Sequence, residues 1–142
     1  MKASVRAGVL IVAAALAAAG CGGDAKTNGS SPTTAAAGPV DQTVEIRMVD
    51  LAFKPDAITV KAGTTVRFVF KNDGSLDHNA AFGDEAAQSA VESGKQQRDG
   101  VAASPNQTKA YVRRFDAPGA LVIGCHVAGH YKAGMKMRLT VA

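Results

Sequence analysis

Met135-Lys136-Met137-Arg138-Leu139-Thr140-Val141 alternates apolar and polar residues without a break. Successive side chains of a β-strand point to opposite faces. A period of two therefore buries Met135, Met137, Leu139 and Val141 together and turns Lys136, Arg138 and Thr140 to water. A helix would scatter the same four residues around its circumference. Toward the N-terminus the pattern recurs. Leu121, Ile123 and Cys125 share one face of a run over residues 120–125, and Val44, Ile46 and Met48 alternate with Glu45 and Arg47. Val66, Phe68 and Phe70 are interleaved with Arg67 and followed by Lys71, while residues 108–115 and the pair Ile58 and Val60 add two more runs of strand character. Pro55-Asp56, Ala62-Gly63 and Asp116-Ala117-Pro118-Gly119 supply turns between them.

With a further strand at His78, roughly seven short strands without alternating helices point to an all-β, Greek-key β-sandwich in one domain over residues 41–142. One segment departs from the strand pattern. Asp84 stands as an N-cap before Ala86, Ala87, Ala90 and Val91, and Gly94 follows as a stop. These signals predict one short helix on the connection between the His78 strand and the strand over 108–115. The polar stretch 95–107 reads as a mobile loop, and no role for the 84–107 insertion is legible in its residues.

Cys125, His130 and Met135 follow one another at Cys-x4-His-x4-Met spacing, and His78 lies upstream. Two imidazoles, one thiolate and a weak axial thioether form the donor list of a mononuclear copper site for electron transfer, in which soft sulfur favours Cu(I) and imidazole accepts Cu(II). Taken singly, His78 is a turn histidine, Cys125 a small buried hydrophobe and Met135 a strand-end apolar residue. Their conjunction carries the metal reading. Met137 competes as the axial ligand, but the spacing favours Met135. Zinc accepts one Cys and two His, yet a thioether selects copper. Among 3 histidines, only His126 is left over, on the opposite strand face from Cys125. A trinuclear copper cluster needs many more histidines, and a binuclear copper centre needs two core cysteines, so an oxidase is excluded and no enzymatic activity is expected.

These residues resemble the cupredoxin, or plastocyanin/azurin-like, family of type 1 blue copper proteins. The resemblance covers Val44-Glu45-Ile46, Phe53-Lys54-Pro55, Ile58-Thr59-Val60-Lys61-Ala62-Gly63, residues 66–70, His78-Asn79 and the Cys125 to Met135 run. It implies His78, Cys125, His130 and Met135 as ligands of one copper ion. It also implies that the Asn79 side chain ties the His78 strand to the cysteine loop, and that His130 is an exposed electron port. Transient redox donor and acceptor proteins are the implied partners. The alternative is a copper carrier or storage lipoprotein without an electron-shuttle role.

At the other end, Lys2 and Arg6 precede an apolar run over residues 9–19, shorter than the roughly 18 to 20 residues a spanning helix needs. Residues 1–20 read as a signal peptide. Leu16-Ala17-Ala18-Ala19-Gly20-Cys21 resembles the lipobox of bacterial lipoproteins, with Ala18 where Leu is usual, and implies a lipid on Cys21; the plain alternative is a free or disulfide-bonded cysteine. Since each of the 2 cysteines has its own task, no disulfide is expected. Residues 21–40 are small and polar, too poor in large apolar side chains to fold, and form a flexible tether. The expected location is extracytoplasmic, lipid-anchored to a bacterial membrane on its periplasmic or cell-surface side. Removal of Lys2 and Arg6 leaves 14 of the 16 basic residues against 12 acidic ones, which is too mild an excess for nucleic-acid binding.

Overall fold

The computed structural model describes residues 39–142. The leader, Cys21 and the tether as far as residue 38 lie outside the described residues. Two sheets form the domain. The first contains β1 (Gln42–Val49), β2 (Ala52–Lys54), β4 (Thr64–Asn72) and β7 (Thr108–Phe115), in the order β2-β1-β4-β7. In the second, β3 (Ala57–Val60), β5 (His78–Gly83), β6 (Gly100–Ala103), β8 (Gly119–Gly124) and β9 (Lys136–Val141) are ordered β3-β9-β8-β5-β6. The result is the expected Greek-key β-sandwich with one short helix, α1 (Glu85–Glu92).

The chain crosses between sheets rather than winding within one. After the β1–β2 pair it visits the second sheet as β3 and returns as β4, which therefore runs parallel to β1, pairing Val44 with Phe68 and Ile46 with Phe70. In the same way β3 is parallel to β9. Neither parallel pair needs a helix crossover, because the opposite sheet serves as the connection.

Alternation along the strands fills the space between the layers. Ile46, Met48, Phe68, Phe70, Ile123, Met137 and Leu139 are buried in one cluster, each worth about 1.5 to 3 kcal/mol in apolar surface removed from water. Phe68 sits at its centre, with the Phe82 ring 5.0 Å away at 59° and the Phe115 ring edge-on at 6.1 Å. The tilted and T-shaped arrangements avoid the face-to-face sandwich that ring quadrupoles disfavour.

The helix begins where expected. Asp84 caps it by accepting from Ala87 N at 2.8 Å, Glu85 occupies the first turn, and Ser93 closes the end. One expectation fails. Within the stretch 95–107 read as a mobile loop, Gly100–Ala103 forms β6, an edge strand paired antiparallel with β5 from His78↔Ala103 to Ala81↔Gly100. Gly-Val-Ala-Ala has little strand propensity of its own. The pairing partner supplies the structure, as is usual where β-propensity is weak. Asn72 fixes the end of this strand by donating from Nδ2 to Ala103 O at 2.9 Å. With the three-residue β2 it brings the strands among the described residues to nine rather than seven.

Candidate metal centre

The ligand residues occupy element ends at one edge of the sandwich. His78 opens β5, Cys125 directly follows β8, and Met135 directly precedes β9. Since β8 and β9 are antiparallel neighbours, with Gly124 opposite Lys136, the chain segment between them begins and ends at the same place. Cys125 N donates to Met135 O at 3.0 Å, closing that segment. Inside it, His130 N bonds Val127 O at 2.9 Å and Met135 N bonds His130 O at 3.0 Å. Consecutive tight turns thus hold the Cys-x4-His-x4-Met spacing in place.

His78, Cys125 and Met135 are fully buried, and His130 keeps 8 % of its surface. The ligating atoms of His78, Cys125 and His130 all lie within 4.8 Å of one another. Cys125 Sγ is 3.8 Å from His78 Nδ1 and 3.5 Å from His130 Nδ1. Bonds of roughly 2.0 Å to nitrogen and 2.3 Å to sulfur, at angles between tetrahedral and trigonal, would separate the donor atoms by about 3.5 to 3.7 Å. The three side chains are therefore spaced for a single small ion. His78, Cys125, His130 and Met135 together are arranged as a type 1 copper site for one copper ion, the thiolate and thioether favouring that metal.

Neighbouring groups orient these donors. Asn79 carries out the task its position implied: its Oδ1 accepts from His126 N at 2.8 Å, and its own N–H points at Cys125 Sγ at 3.4 Å. Asp50 was not foreseen. From the β1–β2 turn its Oδ1 lies 3.3 Å from His78 Nε2, so an Nε2–H donor leaves the Nδ1 lone pair facing Cys125. Asp50 is itself held by Ser75, through N–H at 2.9 Å and the hydroxyl at 2.6 Å. These bonds, the Ser75 hydroxyl first, hold the Asp50 carboxyl below its ordinary range. Gly74 leaves room for this contact, since a Cβ there would come within 2.3 Å of Asp50 Oδ1 and 3.1 Å of His78 Nε2 and displace the carboxylate. Nothing in the sequence distinguishes Asp50 from an ordinary turn aspartate.

Of two other residues, His126 settles as expected and His130 does not. His126 stays off the metal, its ring directed to α1. His130 is buried rather than exposed as the resemblance implied, because the turns closed by His130 N to Val127 O and Met135 N to His130 O fold it inward, while Ala128, Gly129, Ala133 and Gly134 on those turns are exposed.

Burial shifts the titrating ligands in opposite directions. It lowers the His78 pKa, with Asp50 partly opposing, and so favours the neutral imidazole a metal needs. It raises the Cys125 thiol, with the Asn79 N–H partly opposing. Below that raised pKa copper must displace one thiol proton, so apparent copper affinity is expected to climb about tenfold per pH unit around neutrality. A chelator competition titration at several pH values checks the slope; a flat profile would mean that no thiol proton is released on binding, so that Cys125 is either already a thiolate or not a ligand.

Comparison with known proteins agrees with this geometry. The family model described as copper binding proteins, plastocyanin/azurin family, matches residues 40–142. A copper-resistant cuproprotein CopI of Pseudomonas aeruginosa is 31 % identical over 144 residues, covering 75 % of this chain and 80 % of that protein. Plastocyanin of Ulva arasakii is 36 % identical over 91 residues, covering 64 % of this chain and 87 % of its own. Among solved structures, auracyanin B superposes with a TM-score of 0.68 at 28 % identity, over 75 % of this chain and 92 % of that one. With the matched region spanning both sheets and all four ligand positions, the chain belongs to the plastocyanin/azurin family of copper-binding proteins.

Proposed function

We propose that the protein is a one-electron carrier, not an enzyme, tethered outside the cytoplasm by a lipid on Cys21. The observation that carries the reading is a buried, preassembled donor set in which His130 alone of the four ligands keeps some exposure, 8 % of its surface. Copper bound there would supply a Cu(II)/Cu(I) couple. The protein's share is to hold two imidazole and two softer sulfur donors in a geometry acceptable to both oxidation states and to keep water away from them. His78, Cys125 and Met135 do this from within the core.

The edge of His130 offers the shortest way out. The neighbouring turns expose the small residues Ala128, Gly129, Ala133 and Gly134 beside the longer Lys132, which suits a brief contact with a redox protein, typically below about 1,200 Å². Donor and acceptor would each dock there in turn. The similarity to plastocyanins and auracyanin supports this use of the site.

A second reading is favoured by the similarity to the copper-resistant cuproprotein: a copper carrier or store that limits free metal without shuttling electrons. The two differ in rates. Fast electron self-exchange with slow copper release to a chelator supports the shuttle, whereas slow exchange with ready release supports the store. The anchor is tested apart from both, by mass spectrometry of the membrane fraction. A diacylglycerol adduct on Cys21 supports it, and an unmodified Cys21 rejects it.

A further inference from the structure

We propose that helix α1 positions the copper loop, with Gln88 and Glu92 acting through His126. The helix lies in the insertion whose residues gave no role, and its burial is unusual. Gln88, a polar residue, is its buried side chain, at 1 % exposure. The Gln88 amide reaches between two strands, donating from Nε2 to Ala81 O of β5 at 2.9 Å and to Val122 O of β8 at 2.8 Å. Those two bonds fix which way the amide faces. Its Oε1 is thereby turned to His126 Nε2, 2.6 Å away, while Glu92 Oε2 stands 2.8 Å from Nδ1 of the same ring.

His126 is the residue next to the Cys125 ligand. Its main-chain N–H is held by Asn79, so the ring and the backbone are fixed from two directions. The ring also stacks on Tyr131, at 4.6 Å and 16°, and Tyr131 is the residue next to the His130 ligand. The Tyr131 hydroxyl donates to Glu85 Oε2 at 3.1 Å, a second tie to the same helix. One helix thus grips the neighbours of two ligands. Gly124 shows how closely the parts fit, since a Cβ at that position would lie 2.6 Å from the Tyr131 ring and 2.8 Å from Gln88 Oε1.

A loop held this way keeps its donor atoms in place whatever the metal's charge, as outer partners of metal ligands do elsewhere. The inference rests on the copper assignment and stands whether the protein carries electrons or stores metal. Its test uses full-length, copper-loaded protein and two substitutions. His126→Phe retains the stack on Tyr131 and removes both polar ties; Glu92→Ala removes one tie at a partly exposed site. We expect copper affinity to fall about tenfold in His126→Phe, the lower end of the effect of losing an outer-shell partner. The thiolate-to-copper band should shift or broaden in the same variant. Glu92→Ala should lose less, Glu92→Gln should restore the parent value, and Glu92→Ala added to His126→Phe should change nothing further. Affinity and band within twofold of the parent in His126→Phe would overturn the proposal, as would full additivity in the double variant. A merely structural role would lower the melting temperature of apo and loaded forms alike and leave the band where it was. Slow electron self-exchange in the parent would instead count against the carrier reading and leave these comparisons intact.

Discussion

Cys125→Ser is expected to abolish the intense visible absorption of the copper-loaded protein. That band arises from charge transfer between a thiolate and Cu(II), and Cys125 is the free cysteine among the described residues. A hydroxyl in the same place is a harder donor and stays protonated at neutral pH, so soft-ligand selection of copper is lost with the colour. The fold should persist, because Cys125 contributes little volume to a core centred on Phe68, Phe82 and Phe115. Absorption spectroscopy after Cu(II) addition, with circular dichroism as the control on folding, reads both results. Retained intensity in a folded variant would remove Cys125 from the metal.

Met135→Leu is expected to leave copper bound and to raise its reduction potential. Although its sulfur is soft, the thioether is a weak fourth donor: Cu(I) is satisfied by three close ligands, whereas the more highly charged Cu(II) gains more from an added long bond, so its removal tilts the couple toward the reduced state. A tenfold change in that preference corresponds to about 59 mV for a one-electron couple, and a rise of this order is the expected result. Leucine fills nearly the volume that methionine leaves in a fully buried position, so packing should be disturbed little. Equilibrium redox titration gives the shift. An unchanged potential would mean that Met135 is not axial and that Met137, two residues further along the same inward face, has to be considered.

The period of two made the sandwich legible because β1, β4 and β9 each have one wet face and one dry one, although β5 is buried throughout. Val44, Ile46 and Met48 in β1, and Met137, Leu139 and Val141 in β9, point inward as their alternation requires. β6 escaped for the opposite reason. Its four residues carry one β-branched side chain and no clear alternation, and pairing with β5 decides its state. Likewise the parallel pairings of β1 with β4 and of β3 with β9 are set by how the chain crosses between layers, which no local pattern records.

At the metal centre the donors were legible because their chemistry is rare and their spacing tight. His78 was joined to Cys125 as the second imidazole of the donor list and by the family resemblance, not by any local spacing, and the structure brings the two together across 47 residues of sequence. Asp50, Gly74, Gln88 and Glu92 were not legible. Each is an ordinary residue in its local setting, a turn aspartate, a turn glycine, two polar helix positions, and acquires a role only from what the fold places beside it.

The central claim is that this site cycles one electron without losing its metal. Voltammetry of the copper-loaded protein, with the visible band followed in parallel, tests it most directly. The account predicts a reversible one-electron wave, with the band bleaching on reduction and returning in full over repeated cycles. An irreversible wave, or copper released on reduction so that the band fails to return, would contradict it.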